Sequence, residues 1–155
     1  MAGGNHLSDS SKTSGQAPRR VIDMDTPTLD ALGIVTADMA RSLAFYRRLG
    51  LAIPDPADRE PHVEHALANG MRVMWDLRQV VTSFDPTWTP PTGGSRIGLA
   101  FRCHSASAVD AIYASSVAAD PGVAHLEPFD AVWGQRYASL RDPDGNAVDL
   151  YAPLS

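Results

Sequence analysis

His62 and Glu64 stand two residues apart in "HVEHA". In an extended chain, residues i and i+2 share a face, so an imidazole and a carboxylate lie side by side. Such a pair can hold a metal ion or pass a proton, or it can simply sit solvated on a rim. Asp149 lies between Val148 and Leu150 in "NAVDLYA". A carboxylate in the middle of a strand needs a partner, because an unpaired buried charge is costly. The choices are a pair with Arg96, a hydrogen bond from Tyr137, a ligand, or a metal ion. In "MRVMWDL", Arg72, Met74 and Asp76 alternate with Val73, Trp75 and Leu77. Asp76 is placed either to salt-bridge Arg72, to end a strand in solvent, or to meet an amine on a bound guest. Trp133 precedes Gly134. Its ring would stack on an aromatic guest, worth about 0.5–1.5 kcal/mol beyond area burial, or pack its loop onto a sheet. The single cysteine, Cys103, has no His–Asp pair at an activating spacing and reads as inert. "TGGS" (92–95) opens a strand and not a helix, so it is no phosphate cradle.

The elements that would carry these groups follow from periodicity. "LDALGIVTA" (29–37) reads as a strand with Leu32 and Ile34 on one face and Ala31, Gly33 and Val35 on the other. Asp38 then caps a helix whose buried stripe is Met39, Leu43 and Tyr46, widened by Phe45 and Leu49 and stopped by Gly50. "LAIPDPADREP" predicts a short strand entering a loop. Two alternating runs, 62–67 and 71–77, flank Asn69-Gly70, a dipeptide suited to a type I′ hairpin. The second half repeats the plan. Residues 96–103 form a strand, with Arg96, Gly98 and Ala100 opposite Ile97, Leu99 and Phe101. Residues 105–120 form a helix with a capping box at Ser107 and Asp110 and a stripe of Val109, Ile112, Tyr113 and Val117. A short strand and loop follow, then a hairpin around Asp142–Gly145. The predicted fold is α+β: two βαβββ modules, each strand–helix–three strands, forming a cupped mixed sheet with helices on the convex face and a cavity on the concave one. The divisions are a tail at 1–24, a first module at 25–84, a linker at 85–95 and a second module at 96–155.

Bulk properties narrow the function. A net charge of −5 and a pI near 5.4 argue against a nucleic-acid partner. No apolar run approaches the roughly 20 residues of a membrane helix, and no signal segment opens the chain, so a cytoplasmic location is expected. The first 24 residues are polar and Gly/Ser-rich; they read as a tail, with a second possible start at Met24 and no functional weight on His6. Trp75 and His65 share the apolar face and are expected in the core. Phe84 and Trp88 flank the linker as candidate lid or dimer contacts.

Two stretches carry a resemblance. "LGIVTADMARSLAFYRRLGL" and "WGQRYASLRDPDGNAVDLYAP" resemble the first strand–helix and the closing hairpin of the vicinal oxygen chelate superfamily, which includes glyoxalase I, extradiol dioxygenases and bleomycin-resistance proteins. The resemblance covers about residues 29–153, and among its members it is nearest to the metal-free mitomycin-binding type. It implies paired βαβββ modules, often a homodimer, and metal ligands at the start of each first strand and the middle of each last strand. Here those positions fall on Ala31, Arg96 (Ser95 on a shifted alignment), Met74 and Asp149. A methyl, a guanidinium and a thioether do not suit a hard divalent ion. The expectation is therefore a metal-free protein, without cofactor, that sequesters a planar antibiotic or related natural product. Its expected ligand-facing set is Trp133, Asp76, His62, Met74, Asp149, Tyr137, Arg72, Tyr151 and Arg96. The alternative is a glyoxalase-like lyase or isomerase, or a dioxygenase, with a relocated site.

Overall fold

The computed structural model describes residues 27–154. The proposed tail at 1–24 and the start at Met24 fall outside them. The chain forms two mixed sheets. The first holds β1 (Ala31–Thr36), β2 (His62–Ala66) and β3 (Arg72–Leu77) in the order β1-β3-β2. The second holds β4 (Gly98–Arg102), β5 (Ala124–Ala131), β6 (Gln135–Arg141) and β7 (Ala147–Pro153) in the order β4-β7-β6-β5. In each sheet the first strand runs parallel to the last and the hairpin is antiparallel. Three helices, α1 (Met39–Arg48), α2 (Arg78–Phe84) and α3 (Ala106–Ala119), complete the α+β fold.

The core lies where α1 and α3 meet the sheets. Leu43, Phe45, Tyr46, Trp75, Val109, Leu140, Val148 and Leu150 are fully buried. Tyr46 stands edge-on to both Phe45 and Trp75, with centroids 5.1 and 5.3 Å away. The alternation places side chains as expected: Ile34, Val63, Val73 and Trp75 turn to the core, while Gly33, His62, Glu64 and Ala66 are exposed on the opposite face. Asp38 caps α1 by accepting from the Arg41 N–H at 3.0 Å.

Several expectations are corrected. Each half was expected to hold three strands after its helix; the first holds two. "LAIPDPADREP" forms no strand. The Arg47 guanidinium takes the carbonyls of Ile53 and Pro54 at 2.7 and 2.8 Å, acceptors that a neighbouring strand would otherwise use, and a short 3₁₀ turn follows at Asp55–Arg59. Residues Arg78–Phe84 form a further helix, α2, between the first sheet and the linker. The turn at Asn69-Gly70 is not type I′, which needs positive φ at both central residues; only Gly70 has it, at +88°. Instead Gly70 N–H bonds Leu67 O and Leu67 N–H bonds Met71 O, a three-residue loop with glycine in the left-handed position. Gly145 closes the Asp142–Asn146 loop in the same way, with φ +92°. The cap of α3 is Ser105, not Ser107: its Oγ accepts from the Ala108 N–H at 3.1 Å. β5 is longer than expected, eight residues with two register shifts against β6.

Candidate functional site

Each sheet leaves one face open. On the first, β2 and β3 align His62 with Asp76, Glu64 with Met74 and Ala66 with Arg72. A continuous polar chain results. His62 Nδ1 meets Asp76 Oδ1 at 2.7 Å, and His62 Nε2 meets Glu64 Oε1 at 3.1 Å. Arg72 donates to Glu64 at 2.7 Å and to Asp30 through its other terminal nitrogen. The hydrogen bond to Asp76, and then that to Glu64, holds the His62 imidazolium above the ordinary histidine range. The Arg72 and His62 bonds hold the Glu64 carboxyl below its own. The expected Asp76–Arg72 pair is thus replaced: Asp76 binds His62, its direct cross-strand neighbour, and Arg72 turns to Glu64 and Asp30. Met74 sits in this face beside Gly33 and Glu64.

The open face of the second sheet is aromatic. Phe129, Tyr137 and Tyr151 lie opposite one another across β5, β6 and β7. Trp133, at the β5–β6 turn, packs edge-on to Phe129 and Tyr137, with centroids 6.2 and 5.6 Å away, and Phe129 and Tyr137 are 5.7 Å apart. Trp133 remains 58% exposed and its Nε1 donates to Gln135. One row along, Asp149 Oδ1 accepts from Ser139 Oγ at 2.8 Å, and Ala100 lies on its other side. Burial, and then the nearby Asp149 carboxylate, pushes the Tyr137 phenol up to about 12. Asp149 therefore finds its partner in Ser139, not in Arg96. Phe129 escaped the sequence reading because it was assigned to a loop; its signal was the apolar residue four before Trp133 in a run long enough for a strand. Ser139 is the residue that sequence reasoning missed as the partner of Asp149.

A cavity of about 480 Å³ lies at the seam between the free edges of β1 and β4, against the 91–97 segment and the Asp144–Asn146 turn. Of the expected ligand-facing set it contains only Arg96, which stands outside β4 and away from the sheet face.

The two motifs that carried the resemblance are bonded to each other. Asp142, 3% exposed, accepts from Tyr46 OH at 2.9 Å and also from the N–H groups of Asp144 and Asn146 and the Asn146 amide. Asp144 Oδ1 accepts from the Ala37 N–H at 2.9 Å, at the entry to α1.

The profile of the Glyoxalase/Bleomycin resistance protein/Dioxygenase superfamily matches residues 28–150. The chain belongs to this superfamily. Solved structures with the same fold include a glyoxalase/bleomycin resistance protein/dioxygenase family enzyme from Burkholderia phytofirmans PsJN, at TM-score 0.68 and 20% identity over 83% of this chain and 100% of that one. A glyoxalase-related enzyme from Fulvimarina pelagi gives TM-score 0.64 at 17% identity over 82% and 88%. A glyoxalase/bleomycin resistance protein/dioxygenase from Nocardioides gives 0.61 at 22% over 86% and 88%. No curated protein matches the sequence significantly.

Membership raises the question of a metal ion, and the donor set answers against the usual place. Ala31 offers no donor, Met74 a thioether, and Arg96 a cation at the seam. Gly33 and Ala100, which the ladders pair with Met74 and Asp149, add none. Nor does the His62 cluster fit. Its two ring nitrogens face different carboxylates, so the lone pairs diverge. Among the described residues no three His, Cys, Asp or Glu side chains could share an ion.

Proposed function

We propose that this glyoxalase-superfamily protein is a metal-independent small-molecule binder that sequesters a planar natural product, in the manner of an antibiotic-resistance or self-protection protein of the cytoplasm. The observation that carries this reading is the half-exposed ring group Phe129–Trp133–Tyr137 beside Ser139 and Asp149. A flat guest would lie on the rings, gaining apolar burial and stacking. Asp149, with Oδ1 on Ser139, would use Oδ2 to accept a hydrogen bond from the guest. Tyr151 extends the platform. Gly98, Ala100 and Ala147 are the small residues around Asp149 in the β4–β7 pairing. A homodimer, in which a second copy covers the open faces, is the proposed assembly.

The bond of His62 to both Asp76 and Glu64 favours one second reading, an acid–base enzyme working on the first sheet. A screen of planar antibiotics separates the two. Thermal shift and tryptophan quenching would detect a guest, with divalent ions and chelator as parallel arms. Binding that persists in chelator and is lost in Trp133→Ala supports the proposal. Turnover abolished by His62→Asn, or one equivalent of tightly bound metal, would overturn it.

A further inference from the structure

The cavity at the seam belongs to neither open face, and the proposed function leaves it unused. Its apolar wall is Leu32, Ile34, Ile97 and Leu99. At about 480 Å³ it is the size of a small-molecule site, and side chains do not fill it although protein interiors are close-packed. One charge of each sign lines it. Asp144 is nine-tenths buried; its Oδ1 takes the Ala37 N–H, with the Arg78 guanidinium no nearer than 3.9 Å. Its Oδ2 is buried and has no hydrogen-bond partner among the described residues. A carboxylate oxygen left in that state bears a desolvation cost that a donor would remove. Arg96, exposed on the same cavity, has no carboxylate at ion-pair distance among the described residues.

A lone amine would leave Arg96 unmatched, and a lone carboxylate would leave Asp144 so. We propose that the seam cavity is a second binding site, for a free apolar α-amino acid in its zwitterionic form. The ammonium donates to Asp144 Oδ2, which is closed off in this structure and reaches the cavity by a turn about the terminal torsion of the side chain that lengthens the Oδ1 bond to the Ala37 N–H. The carboxylate accepts from the Arg96 guanidinium. The apolar side chain lies against Leu32, Ile34, Ile97 and Leu99.

The test is a titration of the full chain with L-leucine and L-phenylalanine, read by calorimetry and by the methyl resonances of Ile34, Ile97 and Leu99. L-Leucinamide and N-acetyl-L-leucine, each lacking one charge, are the comparison ligands. The expected result is saturable shifts at the seam, with either blocked ligand bound about tenfold or more weaker. Arg96→Gln and Asp144→Asn should weaken leucine by a similar factor. The blocked ligands act on the unaltered chain, so the test survives if Asp144→Asn fails to fold. No saturable shift at millimolar amino acid would overturn the site. So would equal binding of the blocked ligands, or shifts confined to Tyr137 and Trp133.

Discussion

His62 is held from both sides, by Asp76 on Nδ1 and Glu64 on Nε2. Both bonds favour the charged ring, so its folded-state pKa lies above the ordinary 6.5. The sign of the linkage follows. A raised histidine adds stability that is fully present below about pH 6.5 and is lost as pH rises through the folded value. Carbon-detected titration of the His62 ring should give a midpoint above the ordinary 6.5. In Asp76→Asn the midpoint should fall, because the larger of the two contributions is gone. An unchanged midpoint would refute the assignment. Trp133 gives the second prediction at this scale. It is far more exposed than Trp75, which is fully buried. A planar guest on the second sheet should quench Trp133 first, and Trp133→Ala should remove most of that quenching while leaving the unfolding midpoint within about 0.5 kcal/mol of the parent.

At the scale of elements, the decisive contact joins α1 to the β6–β7 turn. Tyr46→Phe removes one donor from Asp142 and should cost about 1–2 kcal/mol in urea unfolding. Asp142→Ala strips the acceptor from the buried Tyr46 hydroxyl, two backbone N–H groups and the Asn146 amide, and should cost about 3 kcal/mol or more. Equal losses in the two variants would show that the tyrosine bond carries everything. The elements were mostly legible in the sequence. Period-two alternation put Val63, Val73 and Trp75 inward and His62, Glu64 and Asp76 outward, and Asp38 marked the start of α1. What failed depends on distant partners. The run after Gly50 looks strand-like, but Arg47 occupies two of its carbonyls. "RQVVTSF" is rich in β-branched residues yet coils into α2, with Val81 turned inward. Asn-Gly suggested a two-residue turn, while the chain uses Gly70 as the third residue of its loop.

The whole molecule has two open sheet faces of different chemistry, one charged and one aromatic, and a seam between the sheets. Val132 is fully exposed beside Trp133. A second copy seated on these faces would cover them, so sedimentation at micromolar concentration should give a dimer, and Val132→Lys should shift it toward monomer; a parent chain that sediments as a monomer would refute the assembly. The candidate site was legible in part. Tyr137, Tyr151 and Asp149 do share one face, as alternation required, and Trp133 packs onto Tyr137 from the β5–β6 turn. Arg96 does not join them, and no local pattern could reveal the seam cavity, because it arises where β1 meets a strand more than 60 residues further along.

The tyrosine–aspartate bond between the two signature stretches bears on how such chains are classified. Tyr46 and Asp142 act as a buckle between the halves, and neither belongs to the ring platform or to the polar chain on the first sheet, whereas the closing stretch also carries Trp133, Tyr137 and Asp149. Relatives gathered by that bonded pair alone would share a fastening and could differ in what they hold. Part of the chemistry lies outside both stretches: a phenylalanine in a bulged edge strand and an arginine at a junction.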